Sequence, residues 1–111
     1  MPAMLKNIDE QILKQIVDRL VQVLRPQEIY LFGSQASGKT HKRSDLDLLI
    51  VVDDDAGDLH QLAGRAYSAV ADIAVPKDLV FYRRQSMEKW APVKFSLPYE
   101  VTHKGRLVYA A

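Results

Sequence analysis

Two aspartates, Asp45 and Asp47, open the most hydrophobic stretch of the chain, which continues as Leu-Leu-Ile-Val-Val. Residues two apart on a strand point to the same face, so the two carboxylates are predicted to project together. Like charges this close repel each other unless a cation lies between them. Carboxylates are also the ligands expected for Mg²⁺ or Mn²⁺. The pair alone is equally compatible with the solvated start of a strand.

A third carboxylate strengthens the metal interpretation. Asp78 stands at the start of the next predicted strand, after a helical crossover from the Asp45 strand. Such a crossover can bring the start of one strand beside its neighbour. Three carboxylates at adjacent strand ends could hold two metal ions roughly 4 Å apart, the arrangement used for in-line displacement at phosphorus. Other aspartates are predicted to solvate the following loop and to charge a helix N-terminus; these are Asp53, Asp54, Asp55 and Asp58.

A glycine-serine pair, Gly33-Ser34, directly follows the first predicted strand. Glycine allows backbone conformations that bring amide groups close to a phosphate, and the serine adds a hydroxyl donor. A simple strand-ending turn explains the same dipeptide. The segment Gly33–Thr40 also fits the phosphate-loop pattern G-x-x-x-x-G-K-[ST]. That interpretation fails on length, since only His41–Ser44 separate the segment from the next strand and leave no room for the required helix.

The periodicity of apolar residues predicts the elements that position these groups. Spacings of three and four predict a first helix over Ile8–Leu24, with Asn7 as its cap and Glu10 as a capping-box partner. The other predicted elements are strands over Glu28–Phe32, Asp45–Val52 and Asp78–Tyr82, a helix over Leu59–Ala74, short helical segments over Ser86–Trp90 and Tyr99–Lys104, and an edge strand over Arg106–Tyr109. The order α-β-β-α-β-α(-β) predicts an α/β (α+β) protein with a mixed β-sheet covered by helices.

Length and composition limit the function classes. A chain of 111 residues predicts a single domain over residues 1–111. A hydrophobic content of 48% with 26% charged residues is typical of a folded globular protein. The net charge of +1 gives no basic field for direct nucleic-acid binding. There is no cysteine for a disulfide scaffold and no apolar run long enough for a membrane span, so we expect a cytoplasmic protein without membrane contact.

Taken together, the motifs form the pattern G-S-x10-D-x-D between Gly33 and Asp47, followed by Asp78 on the next strand. This pattern resembles the nucleotidyltransferase superfamily of the DNA polymerase β type. The short chain and its ending, Pro98–Tyr109, resemble the minimal nucleotidyltransferase branch of that superfamily. The resemblance implies the mixed sheet of the nucleotidyltransferase fold.

The resemblance also implies a role for each motif residue. Asp45 and Asp47 would ligate two Mg²⁺ ions, with Mn²⁺ as an alternative, and Asp78 would hold the catalytic metal and help to activate an acceptor hydroxyl. Gly33 and Ser34 would bind the β and γ phosphates of ATP or another nucleoside triphosphate. The chain departs from many relatives in two places, since Gln35 and Ser37 stand where arginine is common.

For the acceptor, the resemblance implies a protein partner. Minimal nucleotidyltransferases are commonly paired with a small helical HEPN-domain toxin, and the expected reaction is transfer of AMP to a tyrosine hydroxyl of that toxin by its antitoxin. The segment Val93–Tyr109 carries more apolar residues than a short helix and an edge strand must bury, which indicates either an interface or the lid of the sheet. Two alternatives remain: a non-catalytic antitoxin that blocks the toxin by occlusion, and a nucleotidyltransferase with a small-molecule acceptor.

Overall fold

The computed structural model describes residues 10–33 and 46–111. The elements follow the predicted order, including the final strand: α1 (Glu10–Leu24), β1 (Glu28–Phe32), β2 (Leu46–Val52), α2 (Leu59–Ala69), β3 (Lys77–Arg83), α3 (Arg84–Trp90), α4 (Leu97–Lys104) and β4 (Arg106–Ala110). Asn7 and the first two residues of the predicted helix, Ile8 and Asp9, lie outside the described residues. Within the described ranges, no helix is long and apolar enough to cross a membrane.

The strands form one mixed sheet in the order β3-β2-β1-β4. β1 pairs antiparallel with both β2 and β4, whereas β2 and β3 are parallel and are joined through α2. This arrangement confirms the predicted mixed sheet and the crossover. It also places the end of β1 beside the starts of β2 and β3. We call this part of the sheet its acidic end, because Asp47 and Asp78 lie there.

β2 is buried on both faces, which explains its hydrophobic sequence. Leu48 and Ile50 contribute to the larger core cluster with α1 and α2, while Leu49 and Val51 contribute to a smaller cluster on the opposite face. The smaller cluster is completed by Met87 of α3 and Val101 of α4. Helices therefore cover both faces of the central strand, and only its first residues approach the acidic end.

α2 ends earlier than its apolar stripe predicts, at Ala69 rather than Ala74. Val70 has φ −116°, and its amide bonds Tyr67 O at 3.3 Å, one residue short of the α-helical pattern. The chain must turn here to enter β3, and Pro76 cannot continue a helix. Val70 and Ile73 nevertheless stay buried, so the apolar side chains after the end of the helix still pack in the core.

α4 begins earlier than predicted. It begins at Leu97 because the Ser96 hydroxyl caps the Tyr99 amide at 3.2 Å. It ends before Gly105, as predicted, and Gly105 has φ −88°. A β-carbon on Gly105 would lie 2.8 Å from Leu31 O, so the missing side chain allows the end of α4 to press against β1.

Candidate active site

Asp47 and Asp78 are register partners on the parallel strands β2 and β3. Asp47 also pairs with Phe32 on the antiparallel strand β1, so these residues form a row across the sheet. Side chains alternate along a strand, and Asp47 shares the face of Leu49, which belongs to the smaller cluster. Adjacent strands are about 4.8 Å apart. The two carboxylates therefore project side by side, on the face that α3 and α4 cover further along.

Gly33 follows Phe32 and brings the backbone against Asp47. Its φ is +78°, a conformation that L side chains rarely adopt. A β-carbon at this position would collide with the Asp47 carboxylate. Glycine is therefore required twice, once for its backbone conformation and once for the space that the carboxylate fills. The exposed backbone of Gly33 consequently lies directly beside a carboxylate at the acidic end.

Asp78 is exposed, and the backbone around it is held by hydrogen bonds that sequence analysis missed. The amide of Leu79, the next residue, donates to the Tyr67 hydroxyl of α2 at 2.8 Å. The Lys77 ammonium donates to Ile73 O at 2.7 Å and to Val75 O at 2.8 Å. Nothing in the spacing of Tyr67 or Lys77 indicated these contacts, because they depend on where α2 ends.

The start of β2 is tied to the same turn. The amide of Leu46, the first residue of β2, donates to Pro76 O at 2.9 Å. This hydrogen bond and the parallel pairing of β2 with β3 together fix the register of Asp47 with Asp78. A defined spacing between carboxylates is what metal coordination requires, because ligand positions set the coordination geometry.

The structure describes three of the predicted site residues and brings them together: Gly33, Asp47 and Asp78. Ser34 and Asp45 lie outside the described residues. Within residues 10–33 and 46–111, no group of three His, Cys, Asp or Glu side chains could hold a metal ion. The part of the predicted metal site that lies in these ranges is thus the carboxylate pair.

The phosphate-loop alternative does not fit the sheet. A phosphate loop leads into a helix, and a helical crossover of this kind joins parallel strands. Antiparallel neighbours can instead be joined directly as a hairpin. Here β1 and β2, the strands on either side of that segment, are antiparallel neighbours. The pairing of these strands agrees with the conclusion drawn from segment length.

The acidic residues that follow β2, at the end of the strand opposite Asp47, stabilise helix termini. Asp58 caps α2 by accepting from the His60 amide at 2.8 Å. Asp54 accepts from the Gln85 amide at 2.9 Å, which fixes the start of α3. The contact of Asp58 confirms the helix-terminus role expected for these aspartates, and Asp54 bonds the first turn of α3.

The connection between α3 and α4 exposes large apolar side chains. Phe95 is 91% exposed and has φ +72°, while Trp90 and Val93 are each 42% exposed. In contrast, Pro98 and Val101 of α4 are buried. The apolar residues of the predicted Val93–Tyr109 segment are therefore partly buried and partly exposed. The exposed Val93 and Phe95, together with Trp90 at the end of α3, form a surface that we call the apolar patch (Trp90, Val93 and Phe95).

The sequence comparison decides the family. Residues 10–102, most of the chain, match the family model of the nucleotidyltransferase domain. The chain belongs to the nucleotidyltransferase domain family. No curated protein matches it significantly. The sequence carries the G-S and D-x-D motifs from which a nucleotidyltransferase domain was predicted.

Solved structures agree with the nucleotidyltransferase fold. A protein from Sulfolobus solfataricus described as a nucleotidyltransferase aligns with a TM-score of 0.62 at 20% identity, over 90% of this chain and 78% of that one. A toxin-antitoxin structure with AMP-PNP aligns with a TM-score of 0.54 at 23% identity, over 87% of this chain and 73% of that one. The toxin-antitoxin MntA-HepT aligns with a TM-score of 0.53 at 20% identity, over 93% and 74%. At these identities the likeness establishes the fold.

Proposed function

We propose that this domain transfers AMP from ATP to a hydroxyl group, using divalent metal ions held at the acidic end of the sheet. The observation that carries the proposal is the convergence of Asp47, Asp78 and the left-handed Gly33. Hard oxygen ligands on neighbouring strands suit Mg²⁺, with Mn²⁺ as a substitute. Asp45 completes the ligand set in this proposal, so that two ions are bound.

Each residue then has a defined task in the reaction. Gly33 and Ser34 bind the β and γ phosphates and leave the α-phosphate over the carboxylates. Metal ions held by Asp45, Asp47 and Asp78 would supply positive charge to offset the negative charge on the α-phosphate and on the departing pyrophosphate. Asp78 accepts the proton of the acceptor hydroxyl, whose oxygen forms a bond to the α-phosphorus. The bond between that phosphorus and the bridging oxygen breaks, and pyrophosphate leaves.

We further propose that the acceptor is a tyrosine of a small helical HEPN-domain toxin, which makes this chain a cytoplasmic antitoxin. Two observations support a protein partner. The structural neighbours include toxin-antitoxin structures, and the apolar patch leaves Phe95 almost fully exposed. Adding AMP to an RNA-binding surface introduces negative charge, which repels RNA.

One experiment tests this function against its alternatives. The product of the neighbouring gene is incubated with this protein, ATP and Mg²⁺, and its intact mass is measured. The proposal expects a gain of one AMP that requires both Mg²⁺ and Asp47. A stable complex that silences the toxin without a mass change would favour occlusion. AMP found only on a small molecule would replace the protein acceptor.

A further inference from the structure

A cavity of about 300 Å³ lies beside Gly33, between the end of β1 and the end of α4. Phe32 and Gly33 form one wall, and Glu100, Lys104 and Gly105 form the other. The cavity is on the sheet face that Asp47 and Asp78 share, because α4 covers that face through Val101.

The walls of this cavity are firmly placed. Val101 is fully buried, and the Gly105 amide donates to Val101 O at 2.9 Å. The missing side chain of Gly105 brings the end of α4 against Leu31 O of β1. The separation between Gly33 and the last turn of α4 is therefore set by the packed core rather than by a surface loop.

Lys104 brings a positive charge to the cavity. Its ammonium group has three N–H donors, and it forms an ion pair with Glu100, one helical turn earlier, at an N–O distance of 3.3 Å. The Lys104 side chain is 75% exposed, so this ion pair is weak and easily exchanged for a stronger anion. The only other charged residue of the cavity wall is Glu100 among the described residues. A single flexible cation beside a phosphate-binding glycine is suited to a terminal phosphate group.

The order of groups across the acidic end is Asp78 on β3, Asp47 on β2, Gly33 after β1, and then Lys104 at the end of α4. In the proposed function, the α-phosphate lies over the aspartates and the next phosphates lie at Gly33. We propose that the cavity binds the end of the triphosphate, with Lys104 contacting the γ-phosphate and then the leaving pyrophosphate. This inference rests on the proposed function. In this inference, Lys104 supplies a positive charge near the phosphates. The charge matters because this chain carries Gln35 and Ser37 at the two positions where arginine is common in related proteins.

The test is calorimetric binding of ATP, pyrophosphate, inorganic phosphate and AMP in the presence of Mg²⁺. Lys104→Ala is expected to weaken the binding of ATP and of pyrophosphate about three- to tenfold, as expected for the loss of one solvent-exposed charged hydrogen bond. The affinity for AMP should be unchanged. Lys104→Arg should restore most of the loss. Lys14→Ala is the matched control, because Lys14 is another exposed lysine in an i,i+4 pair, with Asp18 at 3.0 Å.

The outcomes separate this inference from the proposed function. ATP affinity that falls in Asp47→Asn and is unchanged in Lys104→Ala would overturn the role of Lys104 alone. A wild-type protein that does not bind ATP with Mg²⁺ would overturn both proposals. Inorganic phosphate bound as tightly as pyrophosphate, and also through Lys104, would replace the subsite by a general anion site. Glu100→Gln should bind ATP at least as tightly as wild type, because it releases Lys104 from its ion pair.

Discussion

The Asp47 carboxylate occupies the space that a β-carbon on Gly33 would need. The contact joins the end of β1 to the start of β2, and Asp47 in turn pairs with Asp78 on β3. Strand pairing thereby holds the backbone that we propose binds phosphate in contact with the carboxylate that we propose binds metal. The spacing between phosphate and metal would be set before any ligand binds, which is the preorganisation that phosphoryl transfer requires.

Gly33→Ala should lower both stability and metal affinity. The substitution adds backbone strain at φ +78° and displaces the Asp47 carboxylate. Gly57→Ala is the matched control, because Gly57 has φ +112° but no atom within 4 Å of an added β-carbon. Denaturant unfolding should show a loss of about 1 kcal/mol or more in each variant. Mn²⁺ titration should show weaker binding for Gly33→Ala only, and equal binding by both variants would contradict the contact.

Asp47→Asn and Asp78→Asn should abolish nucleotide transfer while the protein stays folded. Removing one of two neighbouring charges relieves repulsion, so thermal stability without metal should hold or rise. Asp55→Asn, in the exposed loop after β2, serves as the control and should retain activity. Transfer at the wild-type rate by either site variant would show that the reaction occurs elsewhere.

Tyr67→Phe should weaken metal binding indirectly. The Tyr67 hydroxyl accepts from the Leu79 amide beside Asp78, and its loss leaves that amide unpaired. We expect a destabilisation of about 1 kcal/mol and a severalfold lower Mn²⁺ affinity. Tyr82→Phe, near the far end of the same strand, should leave Mn²⁺ affinity unchanged. A stability loss without any change in metal affinity would limit Tyr67 to a structural role.

Ser34→Ala should reduce transfer more than Lys39→Ala. In the proposed function the serine hydroxyl contacts the nucleotide phosphates, whereas Lys39 is not expected to act as the clamping lysine of a phosphate loop. Steady-state rates of both variants at several ATP concentrations provide the comparison. Near-complete loss for Lys39→Ala with normal activity for Ser34→Ala would revive the phosphate-loop alternative.

Phe95→Asn should disrupt the partner complex without unfolding the protein. Asparagine tolerates the left-handed backbone that Phe95 adopts at φ +72°, and Phe95 is 91% exposed, so no core contact is lost. Phe95→Tyr keeps the aromatic surface and should keep the complex. Size-exclusion chromatography of the co-expressed pair gives the readout, and an unchanged complex with Phe95→Asn would show that the partner docks elsewhere.

Sequence periodicity predicted most of this fold because the strongest signals are local. The run after Asp47 is apolar on both faces, and β2 is indeed covered on both faces. The bounds of β1 were predicted correctly. The end of α2 was predicted wrongly, because the apolar stripe continues through Ile73 although the backbone has already turned.

The candidate site was predictable only in part. Alternation along β2 and the crossover to β3 indicated that Asp47 and Asp78 would meet, and their register pairing confirms it. The roles that we propose for Tyr67 and Lys104 depend on tertiary distances between α2 and β3 and between α4 and β1. No local pattern carries such distances, so neither residue could be identified from sequence.

Binding of Mn²⁺ and ATP by the isolated protein tests the central claim most directly, because it needs no partner. Calorimetric titration of Mn²⁺-ATP should give a saturable isotherm for the wild type and for Asp55→Asn. It should give at least tenfold weaker binding for Asp47→Asn and for Asp78→Asn, since each removes the charge of a carboxylate that we propose ligates metal. Wild-type affinity in both site variants would contradict a metal-nucleotide site at the acidic end of the sheet.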